Sequence, residues 1–173
     1  MAMNIEFIKS ALKQPARPTL FDVEISGNPA VQILSSDVLK FTCKSAGLPS
    51  VSLGKIDVPY YGRKVPYAGD RTYEDWNTTI VMNNDWTIFR ELQKWHAAYN
   101  HPEMNVATTA NMVSYKCDGY VNVYDPTGLS NMRIKMVGLF PYQISQLDLS
   151  WENTDSTADL QVTWFLDYWH VVN

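Results

Sequence analysis

The charged residues that invite a chemical reading sit in VPYYGRKVPYAGDRTYEDW, Val58 to Trp76, where Arg63 and Lys64 follow one glycine and Asp70 and Arg71 follow another. Cations beside glycine suggest a phosphate cradle. Such a cradle needs a strand, a glycine-rich loop and a helix in that order, and this stretch has no helical pattern. Two carboxylate pairs invite an acid and base reading, Glu74 with Asp75 and Asp22 with Glu24. Adjacent strand residues point to opposite faces, so Glu74 and Asp75 do not share a site. Asp22 and Glu24 do share a face, where solvation or an ion pair is the ordinary reading. His96, His101 and His170 have no metal-ligand spacing to a cysteine or to each other. Cys43 and Cys117 lack CxxC spacing and read as reduced, buried small side chains. No GxSxG, HExxH, Walker or GxGxxG pattern occurs. The expectation is a chain without a catalytic constellation, cofactor or metal, and so not an enzyme.

The same stretch carries four rings, Tyr60, Tyr61, Tyr67 and Tyr73, among repeated glycine and proline. A long irregular segment in a compact domain is either functional or disordered. Its tyrosines argue against disorder. A projecting arm that buries itself on a partner satisfies both constraints.

Around it, apolar periodicity marks the elements. LFDVEIS alternates as a half-buried strand, with Phe21, Val23 and Ile25 on one face, and VLKFTCKS reads as a second strand. Trp76 to Met82 is another. DWTIFRELQKWHAAYN, residues 85–100, is the convincing helix: Ile88, Leu92, Trp95 and Tyr99 form a core-facing stripe, capped by Asn84 or Asp85. NMVSYKCDGYVNVYD and MRIKMVGLFPYQISQLDLS form a hairpin about Asp125-Pro126-Thr127-Gly128, with a bend at Gly138 and Pro141. ADLQVTWFLDYWHVV closes the chain as strand. Six or seven strands and one helix, mostly joined by turns, predict a mainly β fold: an antiparallel barrel or sandwich flanked by one helix.

Bulk properties set limits on partners. At 173 residues, 46% apolar and 18% charged, the chain fits one domain with a true core, and its 13% aromatic content suits a β-rich fold with extensive interfaces. A net charge of −4 opposes holding nucleic acid through its phosphates. The first eighteen residues lack the apolar run of a secretory signal and no segment is long and apolar enough for a membrane anchor, which predicts production in the cytoplasm of the producing cell.

KQPARPTLFDVEI (Lys13 to Ile25), AGLPSVSLGKIDVPYYGRKVPYAGDRTYEDWNTTI (Ala46 to Ile80) and FRELQKWHAAYN resemble, in content and order, the tail tube proteins of contractile-tailed bacteriophages. The resemblance covers most of the first hundred residues and rests chiefly on GDRTYEDW. It implies a structural virion protein of one tail-tube domain over 1–173, with an N-terminal arm at 1–18, a long extended inter-subunit loop at 46–73 and the helix at 85–100. In that family six-fold rings stack into the inner tube through which DNA is ejected. Partners would be further copies of the chain, the tail sheath protein, baseplate tube-initiating proteins, the tape-measure protein and the tail terminator, with DNA as non-specific transiting cargo. Tyr60, Tyr61, Arg63, Lys64, Tyr67, Asp70 and Arg71 would meet an adjacent ring, helped by Arg17 of the arm. The polar strand faces of the second half, with Asn122, Gln161 and Thr163, would line a wet lumen, although Lys116, Arg133 and Lys135 also sit on polar faces. The neighbouring readings are the ring or inner tube of a type VI secretion or phage-derived injection system and a low-copy baseplate tube initiator. A β-barrel small-molecule binder is the remote one.

Overall fold

Alternating apolar and polar residues build most of the chain into antiparallel strands. The computed structural model describes residues 5–12, 15–26, 36–107, 115–152, 154 and 156–172. The arm's first four residues, and the first part of the strand expected from Asn111, lie outside them. Among the described residues are nine strands and three helices.

The main sheet contains β1 (Phe21–Ile25), β2 (Cys43–Ala46), β5 (Trp76–Val81), β6 (Cys117–Tyr124), β7 (Ser130–Ile144), β8 (Asp159–Phe165) and β9 (Tyr168–Val172). Its order is β1-β6-β7-β8-β5-β2, with β9 also paired to β7. The 15-residue β7 serves two halves: Ser130 to Leu139 pairs with β6, Arg133 to Val137 with β9, and Phe140 to Ile144 with β8. The strand turns its corner at Gly138, whose φ of 73° is left-handed and whose missing side chain would run into Asp167. A register shift between Pro141 and Gln143 completes the bend.

The inward residues form one core. Three tryptophans, Trp76, Trp95 and Trp164, are fully buried with Leu39, Ile80, Ile88, Leu92, Met136 and Leu160. Each indole N–H is satisfied: Trp76 donates to the Gly47 carbonyl (2.5 Å), Trp95 to that of Tyr115 (2.7 Å) and Trp164 to the Thr78 hydroxyl (2.9 Å). Helix α3 (Thr87–Tyr99) closes the core with Ile88, Leu92 and Trp95. Tyr99 departs from the expected stripe. It is 44% exposed and leans on Tyr115 and Phe140 at the core's edge. The cap also differs. Asn83, not Asn84 or Asp85, accepts the Thr87 N–H (3.2 Å), because a turn through left-handed Trp86 starts the helix later.

Helix α1 (Ile5–Leu12) lies in the arm. The stretch expected as a second strand is instead split into helix α2 (Ser36–Thr42) and the short β2. Short apolar runs do not distinguish the two states by periodicity. Tertiary contacts decide: one helical turn buries Leu39 in the core and sets the next residue, Lys40, over the polar face of β1.

Candidate assembly interface

The segment from Val51 to Tyr73 belongs to neither half of the sheet. It forms a separate two-stranded ribbon, β3 (Val51–Tyr60) and β4 (Arg63–Tyr73). Within the long extended loop expected at 46–73, the stretch that read as irregular is a regularly paired hairpin. The glycines and prolines that read as breakers are compatible with a ribbon in which both strands are edges, so Pro59 and Pro66 cost no interior ladder bond. Gly54 lies opposite Gly69 and Asp70, two residues against one, which makes a bulge. A Cβ on Gly69 would stand 3.0 Å from the Gly54 carbonyl carbon, so the backbones approach as only glycine allows. The connecting pair Tyr61 and Gly62 has φ of 42° and 81°. Positive φ at both loop positions is the tight hairpin turn whose twist matches its strands.

Ten extended residues at roughly 3.3 Å each give β3 a reach of about 33 Å. The ribbon is anchored at its root, where Trp169 donates to the Ser50 carbonyl (3.2 Å) and its ring meets Tyr73 edge-on at 6.5 Å. Beyond the root every residue of β3 is exposed, as are all those of β4 except Gly69 and Tyr73. Cross-strand pairs Ile56–Tyr67, Val58–Val65 and Tyr60–Arg63 put an apolar face on one side. Lys55, Asp57, Pro59 and Lys64 occupy the other, with Lys55 and Asp57 paired at 3.0 Å.

Of the residues singled out in the sequence, Tyr60, Tyr61, Arg63, Lys64, Tyr67, Asp70 and Arg71 all lie on this ribbon, and Tyr61 at its tip is 92% exposed. Arg17 is elsewhere, on an apolar groove beside the arm. Ile56, Val58 and Val65 belong to the ribbon's apolar face but were not in the sequence-based set. Their signal was present as period-two alternation in KIDVPY.

Gln161 and Thr163 come together on the outward face of β8. With Asn77 and Thr79 of β5, Gln143 of β7 and Ser45 of β2 they line a shallow depression of about 380 Å³ with no charged side chain in its wall. Thr163 donates to Asn77 (2.8 Å). Asn122 is not among them. Its side chain is buried between strands and donates to Asp22 (2.6 Å).

Three side-chain donors converge on Asp22. It accepts from Asn122, from the Tyr124 hydroxyl (2.6 Å) and from Lys40 (3.1 Å). Burial raises its pKa, but the three donors together outweigh burial and hold it below its ordinary 3.8. Glu24 pairs with Lys40 (3.4 Å) and Arg133 (3.2 Å), Lys135 with Asp118 (2.9 Å), and Lys116 with Asp167 (2.5 Å). These cations are locally compensated. His96 holds the Pro141 carbonyl (2.5 Å) and stacks on Phe140, a structural position.

A family model described as phage tail tube protein matches residues 16–172. The chain belongs to the phage tail tube protein family. It is 30% identical over 155 residues to the tail tube protein gp19 of Enterobacteria phage T4, covering 89% of this chain and 90% of that one. The tail tube protein of Serratia phage KSP90 is 30% identical over 144 residues, 80% of this chain and 78% of that one. Among solved structures, the sheath-tube complex of an extracellular contractile injection system aligns with a TM-score of 0.66 over 99% of both chains at 14% identity. Its sheath/tube terminator gives 0.68 over 92% of this chain and 98% of that one, also at 14%. At that identity the likeness establishes a shared fold. As a tail tube family member the chain is a structural virion protein, and the mainly β antiparallel fold expected from its sequence is the one it has.

Proposed function

We propose that this tail tube protein forms six-membered rings that stack into the inner tube of a contractile tail, and that the β3–β4 ribbon is the arm by which one ring holds the next. The observation that supports this reading is the ribbon itself: an extended element whose outer part, Ile56, Val58, Tyr60, Val65 and Tyr67, leaves an apolar face uncovered in the protomer. Apolar faces of this kind on a folded chain mark contact surfaces. The flanking Arg63, Lys64 and Arg71 and the tyrosines are residue types common in interface cores and rims. Open edges of the sheet offer pairing partners around a ring.

The uncharged depression around Gln161 and Thr163 is the surface best suited to the lumen. Hydroxyl and amide groups keep it wet without holding a polyanion, so DNA passes as cargo and is not gripped. The core faces of the same strands carry Trp76, Ile80, Leu160 and Trp164 and are closed to water. Sheath, baseplate initiators, tape measure and terminator are the further partners this role calls for. The role is mechanical and requires no turnover.

Replacing Arg63 and Arg71 together by Glu tests the arm. Both are exposed, so the protomer's stability should change within about 0.5 kcal/mol. Electron microscopy of assembled particles should show no tubes. Tubes of normal length would remove the ribbon from the inter-ring contact, and a collapsed melting temperature would assign it to the folding core.

A further inference from the structure

The apolar side chains of the ribbon change sides at the bulge. Val51 and Leu53 share a face with Tyr73, which packs on Trp169 of the same protomer. Along β3, alternation continues through Gly54, so Ile56, Val58 and Tyr60 project from the opposite face, with Val65 and Tyr67 beside them. The tip's apolar surface therefore looks away from the side on which its own protomer anchors the root. A second, separate apolar surface lies near that root. It is a groove of about 350 Å³ whose wall includes Leu20, Phe21, Leu48, Val123 and Met132, with Arg17 its one charged lining residue. The Tyr124 N–H bonds the Leu20 carbonyl (2.9 Å), and the next residue is Asp125. The turn that follows this end of β6 holds that carboxylate, which accepts from the Thr127 N–H and hydroxyl and from the Leu129 N–H, and the ribbon tip carries Arg63 and Lys64.

We propose that the groove of one copy receives the ribbon tip of a second copy, Tyr60 and Val58 entering the apolar wall while Arg63, on the same face, lies toward the Asp125 turn. This rests on the reading of the ribbon as an assembly arm and names its receptor. Two exposed apolar surfaces on one chain, placed at the root and the tip of the same element, make a heterologous contact: each copy that accepts a tip offers its own onward. The contact is small. A contact confined to one hairpin tip falls short of the ~800 Å² per partner that a standard stable interface buries. It is therefore weak between two free protomers and becomes firm when repeated around a ring, where the later contacts form at high effective concentration.

The test is a covalent one. Tyr60→Cys and Leu48→Cys in one chain replace exposed residues, 65% and 57% accessible, so folding is spared. The natural thiols do not interfere: burial pushes Cys43 up to about 11 and Cys117 to about 12. Oxidation of the assembled double variant should give a ladder of covalent multimers, and each single variant should give none. Leu48→Lys, which sets a cation against Arg63, and Val58→Glu at the tip should each slow tube growth about tenfold or more, a loss of about 1.4 kcal/mol. If Val58→Glu blocks assembly while Leu48→Lys grows normal tubes and no ladder forms, the ribbon is an assembly arm and this groove is not its receptor. If Val58→Glu also assembles normally, the arm reading falls and the receptor with it. The cross-link reads docking without depending on either charge substitution.

Discussion

Replacing Asp22 by Asn removes one charge from a site where three donors converge, and the cost can be worked out donor by donor. Asn122 and Tyr124 each approach at 2.6 Å and Lys40 at 3.1 Å. The substituted side chain keeps one carbonyl oxygen for Asn122. The Tyr124 hydroxyl can reverse its role and accept from the new amide. Lys40 cannot accept, but its side chain is 34% exposed and reaches both water and Glu24. The loss is therefore one charge-assisted hydrogen bond, about 2 kcal/mol, and not the 3–5 kcal/mol of a buried ion left alone. With a urea dependence of about 2 kcal/mol/M, the midpoint should fall by roughly 1 M. Asp22→Leu, which strands the Asn122 amide as well, should cost more. Because the folded carboxyl lies below 3.8, its contribution is complete above about pH 4 and fades as pH falls through the folded value. The gap between wild type and Asp22→Asn should then narrow in acid. Urea unfolding of disassembled protomers, followed by tryptophan fluorescence at pH 7 and pH 3, measures both. Equal midpoints at pH 7, or a gap undiminished at pH 3, would refute the reasoning.

Leu92→Ala removes a fully buried side chain between α3 and the sheet, and thermal melting of the protomer should show a loss of about 2–5 kcal/mol. Gly69→Val places atoms where the Gly54 backbone already stands; it should distort the ribbon and stop tube formation while the core melts within about 0.5 kcal/mol of wild type. Cys43 and Cys117, with thiols at about 11 and about 12, should resist a maleimide at pH 8 and react promptly in denaturant.

Strands and helix α3 were legible wherever apolar residues kept strict period over a full element, as in Trp76–Val81 and in the Ile88, Leu92 and Trp95 stripe. Two kinds of information were not. In VLKFTCKS the run is too short for its period to decide, and the contact of Lys40 with Asp22, eighteen residues away in the chain, selects the helix. The same ion-paired strand buries Asn122, which local alternation places on a polar face. In the ribbon the opposite error arose: glycine and proline read as interruptions because their cross-strand pairing is invisible along one strand. Gly54 against Gly69 is a bulge, and Tyr61-Gly62 is a turn. The tyrosines and cations of the candidate site stand out by type, whereas Ile56, Val58 and Val65 acquire meaning once both strands are in register.

The ribbon is a sheet of its own, joined to the body at one end, so its length can vary without disturbing the core. Strand geometry makes that variation discrete. Adding two residues to each strand lengthens the reach by about 6.6 Å and leaves every face where it was, whereas adding one to each reverses the tip. Insertions between Lys55 and Val65 should therefore survive in even steps, and a lineage of such chains would change the spacing of its contacts by increments, as a ruler does.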